Sequence, residues 1–385
     1  MTEIYLDNSA TTPLHHAVAV KLNRIQVEVY GNPSSMHEKG LQAERLLKEA
    51  RRQVATFFGG RENEFIFTAG GTEANNLAIK GAAYQNRQRG KHLIATSVEH
   101  PSVLSCFKFL ESEGFQVSYL PVDSFGVVNP EDLQTLITSQ TTLVSIMHVN
   151  NEIGSIQPLE IIGPLLKQLN PQTLLHIDAV QSFTRLPLKT EKWRADLISC
   201  SAHKIHGPKG AGCLWVRKGL RLQPQIHGGG QESGIRSGTE NTAAIAGFGL
   251  AALLSGEQQA EKTKLLQQLK ETFYFELQKS GVNFVLNGPS IQAGAPQIIN
   301  ISFPGFKAEM LLHNLEDRGI YVSAGSACHS RHPEPSHVLA AIGLDQSTAA
   351  GSLRFSFSTL NTLDDSVRAA AVTAAVVREL AQLLN

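Results

Sequence analysis

Seven short apolar runs separated by stretches of helical periodicity constrain this chain most: Phe65 to Thr68, His92 to Ser97, Val117 to Leu120, Leu143 to His148, Leu174 to Asp178, Leu197 to Ser201 and Gly212 to Val216. Runs this short and this continuously apolar read as strands buried on both faces. Helix-like stretches such as Thr72 to Gln88 and Leu159 to Leu169 lie between them. Strand and helix in alternation predict an α/β fold, with a mostly parallel seven-stranded sheet covered by helices on both sides. Ser35-Met36-His37-Glu38 has the form of a capping box and predicts the opening helix of this unit, with Leu41, Leu47, Ala50, Val54 and Phe57 on one face. Near Ser255 the pattern changes. A charged helix over Gly256 to Ser280, strands around Val282 to Leu286, Ile298 to Phe303 and Leu353 to Phe357, and a closing helix over Asp365 to Leu384 predict a smaller α+β domain. The expected division is a large domain over residues 15–254 and a small one built from residues 1–14 and 255–385.

Composition narrows the function classes. Across 385 residues, 34 basic and 34 acidic side chains cancel, so no global field draws the chain to nucleic acid or an anionic membrane. No run of about 18 apolar residues occurs, and the start, with Glu3 and Asp7 and no basic cluster, does not read as a secretory signal. The expected location is the cytoplasm. Cys106, Cys200, Cys213 and Cys328 show no CxxC spacing, which argues against a zinc ribbon and against a disulfide framework. Small-molecule chemistry is the default that remains.

Ligands of an open parallel sheet sit beyond the carboxyl ends of its strands, so the residues directly after each run belong together. Gly70-Gly71-Thr72 opens a helix after the first run, where backbone N–H groups and the positive helix end suit a phosphate; an ordinary glycine turn is the alternative. His100 follows the second run, placed either to stack on a flat ring and move a proton or simply to hold its loop. Asn150-Asn151-Glu152 follows another. Asp178 ends an apolar strand, where a carboxylate wants a cationic partner such as a protonated pyridine nitrogen, with Gln181 one turn on; capping the next helix is its alternative role. Lys204 closes Ser201-Ala202-His203-Lys204 among small and hydroxyl residues, a setting for an amine that engages a phosphorylated aldehyde, although Gly- and Lys-rich turns after strands are common. Together these loops outline a site for pyridoxal 5'-phosphate.

Beyond these loops, Tyr5 to Pro13, Gly31-Asn32-Pro33-Ser34-Ser35, Gly71-Thr72-Glu73, Glu99-His100, Asn150-Asn151-Glu152, Asp178 to Gln181, Ser201 to Lys204, Arg236-Ser237-Gly238-Thr239 and Ser323 to Cys328 occur in one order. In this set the chain resembles, over nearly its whole length, the cysteine desulfurases of NifS/IscS type, within the class-V aminotransferase group of pyridoxal-phosphate enzymes. The resemblance implies a fold-type I homodimer with active sites at the subunit interface. It implies that Lys204 is the Schiff-base lysine, and that Gly71, Thr72, Ser201 and His203 hold the phosphate, joined by Thr239 reaching across from the second subunit. Asp178 would pair with the ring nitrogen, Gln181 with the ring oxygen, and His100 would stack and move protons. Arg354 would grip the carboxylate of L-cysteine, with Asn151 and Asn32 nearby; read without the resemblance, Arg354 is equally an ion-pair former within a strand.

Cys328 sets this family apart from ordinary aminotransferases. It follows the strand-like run Ile320 to Ser323 and precedes His329, Arg331 and His332, so it reads as the tip of a mobile loop with cations near its thiol. The resemblance implies that it takes the substrate sulfur as a persulfide, leaves L-alanine, and passes the sulfur to an acceptor or iron-sulfur scaffold protein. The run His-Ser-Arg-His-Pro-Glu-Pro after Cys328 is more basic and proline-rich than the usual pattern, and the sequence stops at Asn385, soon after the closing helix, so docking of a scaffold through a longer C-terminal tail, as in some members, is not an expectation here. A selenocysteine lyase or cysteine C–S lyase of the same fold is the alternative, and would not need Cys328. Cys106, Cys200 and Cys213 sit in apolar runs and read as core residues.

Overall fold

In the computed structural model, which describes residues 3–324 and 336–384, each of the seven apolar runs forms a strand of one sheet. In chain order the strands are β1 (Ile4–Tyr5), β2 (Phe65–Thr68), β3 (His92–Thr96), β4 (Gln116–Leu120), β5 (Thr141–Met147), β6 (Leu174–Asp178), β7 (Leu197–Ser201), β8 (Gly212–Val216), β9 (Val285–Asn287), β10 (Ile298–Ser302), β11 (Ile320–Tyr321), β12 (Ser323–Ala324) and β13 (Ser352–Ser356). The large sheet has the order β2-β8-β7-β6-β5-β3-β4, and β8 alone runs against its neighbours. The reason is local: residues 202–211 fold straight back from β7 into β8, so no helical crossover turns the chain round, and that return segment carries Lys204.

Helices cover both faces, as uniformly apolar strands require. Phe58, Phe183, Trp215 and Phe248 pack in one core cluster, and Leu77, Ile79, Phe107 and Leu110 in another. The opening helix is not the expected one. A helix over His16–Glu28 comes first, and the following helix, Glu38–Ala55, is capped by His37, whose Nδ1 accepts the Gly40 N–H. Ser35 does not act as the cap, because the helix begins only at Glu38 and Ser35 lies in the preceding turn, where its N–H donates to the Asn32 carbonyl. Leu47, Ala50 and Val54 are buried on that helix as the periodicity predicts, whereas Leu41 is 41% exposed.

A second, antiparallel sheet has the order β12-β13-β10-β9, over a core of Phe273, Phe303, Phe355 and Phe357. The run Ile320 to Ser323 is split: β11 pairs with β1, and β12 with β13. Residues 4–12 connect the two layers. Ile4 pairs with Ile320, Asp7 bridges to Ser356, and the Thr12 hydroxyl donates to the His203 carbonyl at the end of the large sheet. Among the described residues no helix is long and apolar enough to cross a membrane.

Candidate active site at the strand ends

A cavity of about 1050 Å³ opens at the carboxyl ends of the parallel strands, and Gly71, Thr72, His100, Asn151, Asp178, Gln181, Ser201, His203, Lys204 and Arg354 all line it. One corner suits an anion. Gly70 has φ +153°, a conformation that favours glycine, and starts the helix Gly71–Asn86 without a side-chain cap, leaving first-turn N–H groups for a ligand. A Cβ on Gly71 would lie 2.8 Å from Val180 Cγ2. Ser201 Oγ is buried at the end of β7 with no partner among the described residues. Burial, reinforced by the Lys204 and Lys209 ammonium groups, lowers the His203 pKa to about 4, so its imidazole is neutral; its Nδ1 lies 3.2 Å from Thr11 Oγ1.

Asp178 is held by both oxygens. Oδ1 accepts the Val180 N–H at 3.0 Å and Oδ2 accepts Asn75 Nδ2 at 2.7 Å. His100 caps the helix Pro101–Ser112 through Nδ1, which accepts the Ser102 N–H at 3.1 Å. Gln181 Nε2 donates to the Ser9 carbonyl at 2.9 Å, while its Oε1 lies 3.4 Å from Arg185 Nη1. Arg185 is buried, which lowers its pKa to about 10, and its Nη2 donates to the Lys204 carbonyl at 2.6 Å. Lys204 Nζ itself donates to the carbonyls of Ser9 and Ala10, at 2.5 and 2.6 Å. The amine therefore rests on the backbone of the N-terminal segment.

At the far wall, Arg354 on β13 is 1% exposed. Its Nη2 meets Asp7 Oδ1 at 2.7 Å, its Nη1 donates to the Asn151 carbonyl at 2.9 Å, and its Nε is buried with no partner among the described residues. The ion-pair role and a place in the cavity are thus both realised. Two expected residues lie elsewhere. Asn32 sits on an exposed loop where its Oδ1 accepts the Ser34 N–H, and Thr239 is exposed outside this chain's cavity. Cys328 lies outside the described residues.

Sequence reasoning missed several participants. Ser9, Ala10 and Thr11 line the cavity from the N-terminal segment; their signal was a run of small polar residues, Asn8 to Thr12, unsuited to a core. Asn75 and Arg185 sit inside helical or turn segments and carry no local signal. Glu73 joins two loops: it accepts the Ala69 N–H at 2.7 Å and pairs with Arg236 at 2.8 Å.

A family model for aminotransferase class-V matches residues 4–368. The chain belongs to the class-V aminotransferase family. It is 43% identical to the cysteine desulfurase IscS of Dictyoglomus turgidum, over 94% of this chain and 91% of that protein. Among solved structures, a NifS-like protein superposes with a TM-score of 0.92 at 37% identity, covering 98% of this chain and all of the other. SspA in complex with cysteine superposes at 0.81 and 35% identity, covering 93% and 99%. Class-V aminotransferases depend on pyridoxal phosphate, and the residues of this class-V chain fit that group. The unpartnered Ser201 hydroxyl and the open helix start at Gly71 suit the phosphate, Asp178 suits the ring nitrogen, and Lys204 lies in the same cavity.

Proposed function

We propose that this class-V enzyme is a cysteine desulfurase that converts L-cysteine to L-alanine and carries the released sulfur as a persulfide on Cys328. The observation that carries the reading is that one cavity unites Lys204, Asp178 and His100 with the buried Arg354, while the relatives that match the whole chain bear the name cysteine desulfurase. Bound pyridoxal phosphate supplies an electrophilic aldehyde and a sink for an electron pair.

The chain's own groups do the rest. Arg354, fixed by Asp7 and the Asn151 carbonyl, lines the cavity as the cation for the carboxylate of the amino acid, while Asn151 borders the same space. Ser201, Thr72, neutral His203 and the Gly71 helix end would hold the phosphate, while Asp178, oriented by Asn75 and Val180, would pair with the ring nitrogen and Gln181 with the ring oxygen. Lys204, leaving the Ser9 and Ala10 carbonyls, takes the α-proton at Nζ. The substrate C–S bond breaks as an S–S bond forms to Cys328, and a proton returns to the carbon, so cysteine and thiol give alanine and Cys328 persulfide. In this reading the protein is a cytoplasmic homodimer, with Thr239 of each copy reaching the other's phosphate. Residues 15–254 form the cofactor-binding domain, and residues 1–14 with 255–385 form the small one. The persulfide goes to an acceptor or iron-sulfur scaffold protein.

The test is alanine and sulfide release from L-cysteine with a reductant, in the wild type and in Cys328→Ala. Equal alanine and sulfide from the wild type, lost in the variant, supports the reading. Full activity in the variant, or pyruvate and ammonia as products, overturns it in favour of a lyase.

A further inference from the structure

A chain of hydrogen bonds runs from Asp178 to His100 through two residues with no assigned role. Asn75 Nδ2 lies 2.7 Å from Asp178 Oδ2 and 2.9 Å from Ser102 Oγ, and Ser102 Oγ lies 2.8 Å from His100 Nδ1. Asn75 is 1% exposed, so water does not compete for its amide. The polarity of the chain follows from donor and acceptor chemistry. An ionised carboxylate only accepts, so the Asn75 amide must turn its NH2 toward Asp178. The second proton of that NH2 takes one lone pair of the Ser102 oxygen, and the Ser102 backbone N–H, which can only donate, sets His100 Nδ1 as an acceptor, so the Ser102 hydroxyl donates toward it as well. The same Nδ1 receives the Ser102 backbone N–H at 3.1 Å. Two donors converge on one ring nitrogen, and a nitrogen that accepts them carries no proton of its own.

We propose that Asn75 and Ser102 are positioning residues that hold His100 in a single tautomer, Ser102 through its backbone N–H and its hydroxyl and Asn75 by orienting that hydroxyl, with Nδ1 as acceptor and Nε2 bearing the ring's proton. His100 lines the cavity with its Nδ1 turned to the start of its own helix. It therefore presents its Nε2–H as a hydrogen-bond donor for negative charge that develops on the substrate, and keeps that proton, since the neutral ring with Nδ1 unprotonated would become an imidazolate on losing it. The group that anchors the cofactor ring nitrogen and the group that meets the substrate are two ends of one polarised network. This inference rests on the reading that the cavity holds the cofactor between Asp178 and His100, but not on which amino acid is consumed.

The tautomer is read directly by nitrogen NMR on substrate-free holoenzyme labelled with 15N-histidine at pH 8, with the His100 signals assigned by their loss in His100→Gln. The expected wild-type spectrum has an unprotonated Nδ1 and a protonated Nε2. Ser102→Ala removes the hydroxyl donor but keeps the backbone N–H, so it is expected to keep the tautomer and to move the Nδ1 signal downfield as one of its two hydrogen bonds is lost. It should also slow alanine formation by about tenfold in kcat, with KM within about twofold, as for a weakened hydrogen bond made in the transition state. Ser102→Thr keeps the hydroxyl and should restore both. A protonated Nδ1 in the wild type overturns the proposal, whatever the variants do, as does an unchanged spectrum in folded, cofactor-loaded Ser102→Ala. Failure of the desulfurase reading would instead show as absence of alanine from the wild type, with the tautomer still measurable.

Discussion

Glu99, next to His100, makes a sharp prediction about pH. Its side chain is fully buried; Oε1 accepts the Thr96 hydroxyl at 2.6 Å and the Met147 N–H at 2.7 Å, and Oε2 has no partner among the described residues. Burial outweighs those two hydrogen bonds and, with a smaller push from the Asp178 carboxylate, raises its pKa from 4.5 to about 8. Between those values the folded protein keeps a proton that the unfolded chain releases, so stability falls as pH rises through that window. At about 1.4 kcal/mol per pH unit, moving from about pH 5.5 to pH 8 costs about 3 kcal/mol. Glu99→Gln keeps the Oε1 acceptor and cannot ionise, so it lacks this loss. Urea unfolding of both holoenzymes at pH 5.5 and 8.5 should show the variant gaining about 3 kcal/mol on the wild type across the interval. If the two stabilities instead run parallel with pH, Glu99 is ionised in the folded state and the burial argument is wrong.

Two substitutions test the cavity walls. Arg354→Lys keeps a charge but loses the planar fork, so KM for L-cysteine should rise about 30-fold, the equivalent of about 2 kcal/mol of charge-assisted hydrogen bonding, as measured by initial-rate kinetics. Gly71→Ala places a methyl 2.8 Å from Val180 Cγ2 at the phosphate corner; cofactor affinity, measured by titrating apoprotein with pyridoxal phosphate, should weaken about tenfold or more, while far-UV circular dichroism stays unchanged.

The large sheet was legible because its strands are short, apolar throughout and punctuated by turns; all seven runs form strands, and Leu159–Leu169 is a helix at the expected bounds. The strand-end residues were legible for the same reason, since topology gathers them wherever the sheet is parallel. The start of the helix at Glu38 was not, because a histidine imidazole can accept at an N-cap as a serine hydroxyl does, and the Ser-x-x-Glu spacing outweighed it. The Asn75 and Arg185 contacts were hidden because each reaches a partner on another element: Asn75 meets Asp178, distant in sequence, and Arg185 reaches back under Lys204. Ser9 and Ala10 act through their carbonyls, which every residue type possesses, so the small polar run Asn8 to Thr12 marks the segment but not its contact with Lys204.

The seat of Lys204 also has a consequence for the order of synthesis. Its carbonyl partners belong to residues 9 and 10, which are made before every strand of the large sheet, yet that segment is held by pairing with Ile320 and by hydrogen bonds from Asn8 and Ser9 to Ser356. The large sheet can assemble once β8 is made, but the Lys204 amine finds its resting place only after synthesis has passed Ser356. A nascent chain stalled before Ser356 should therefore contain the sheet and lack a finished site.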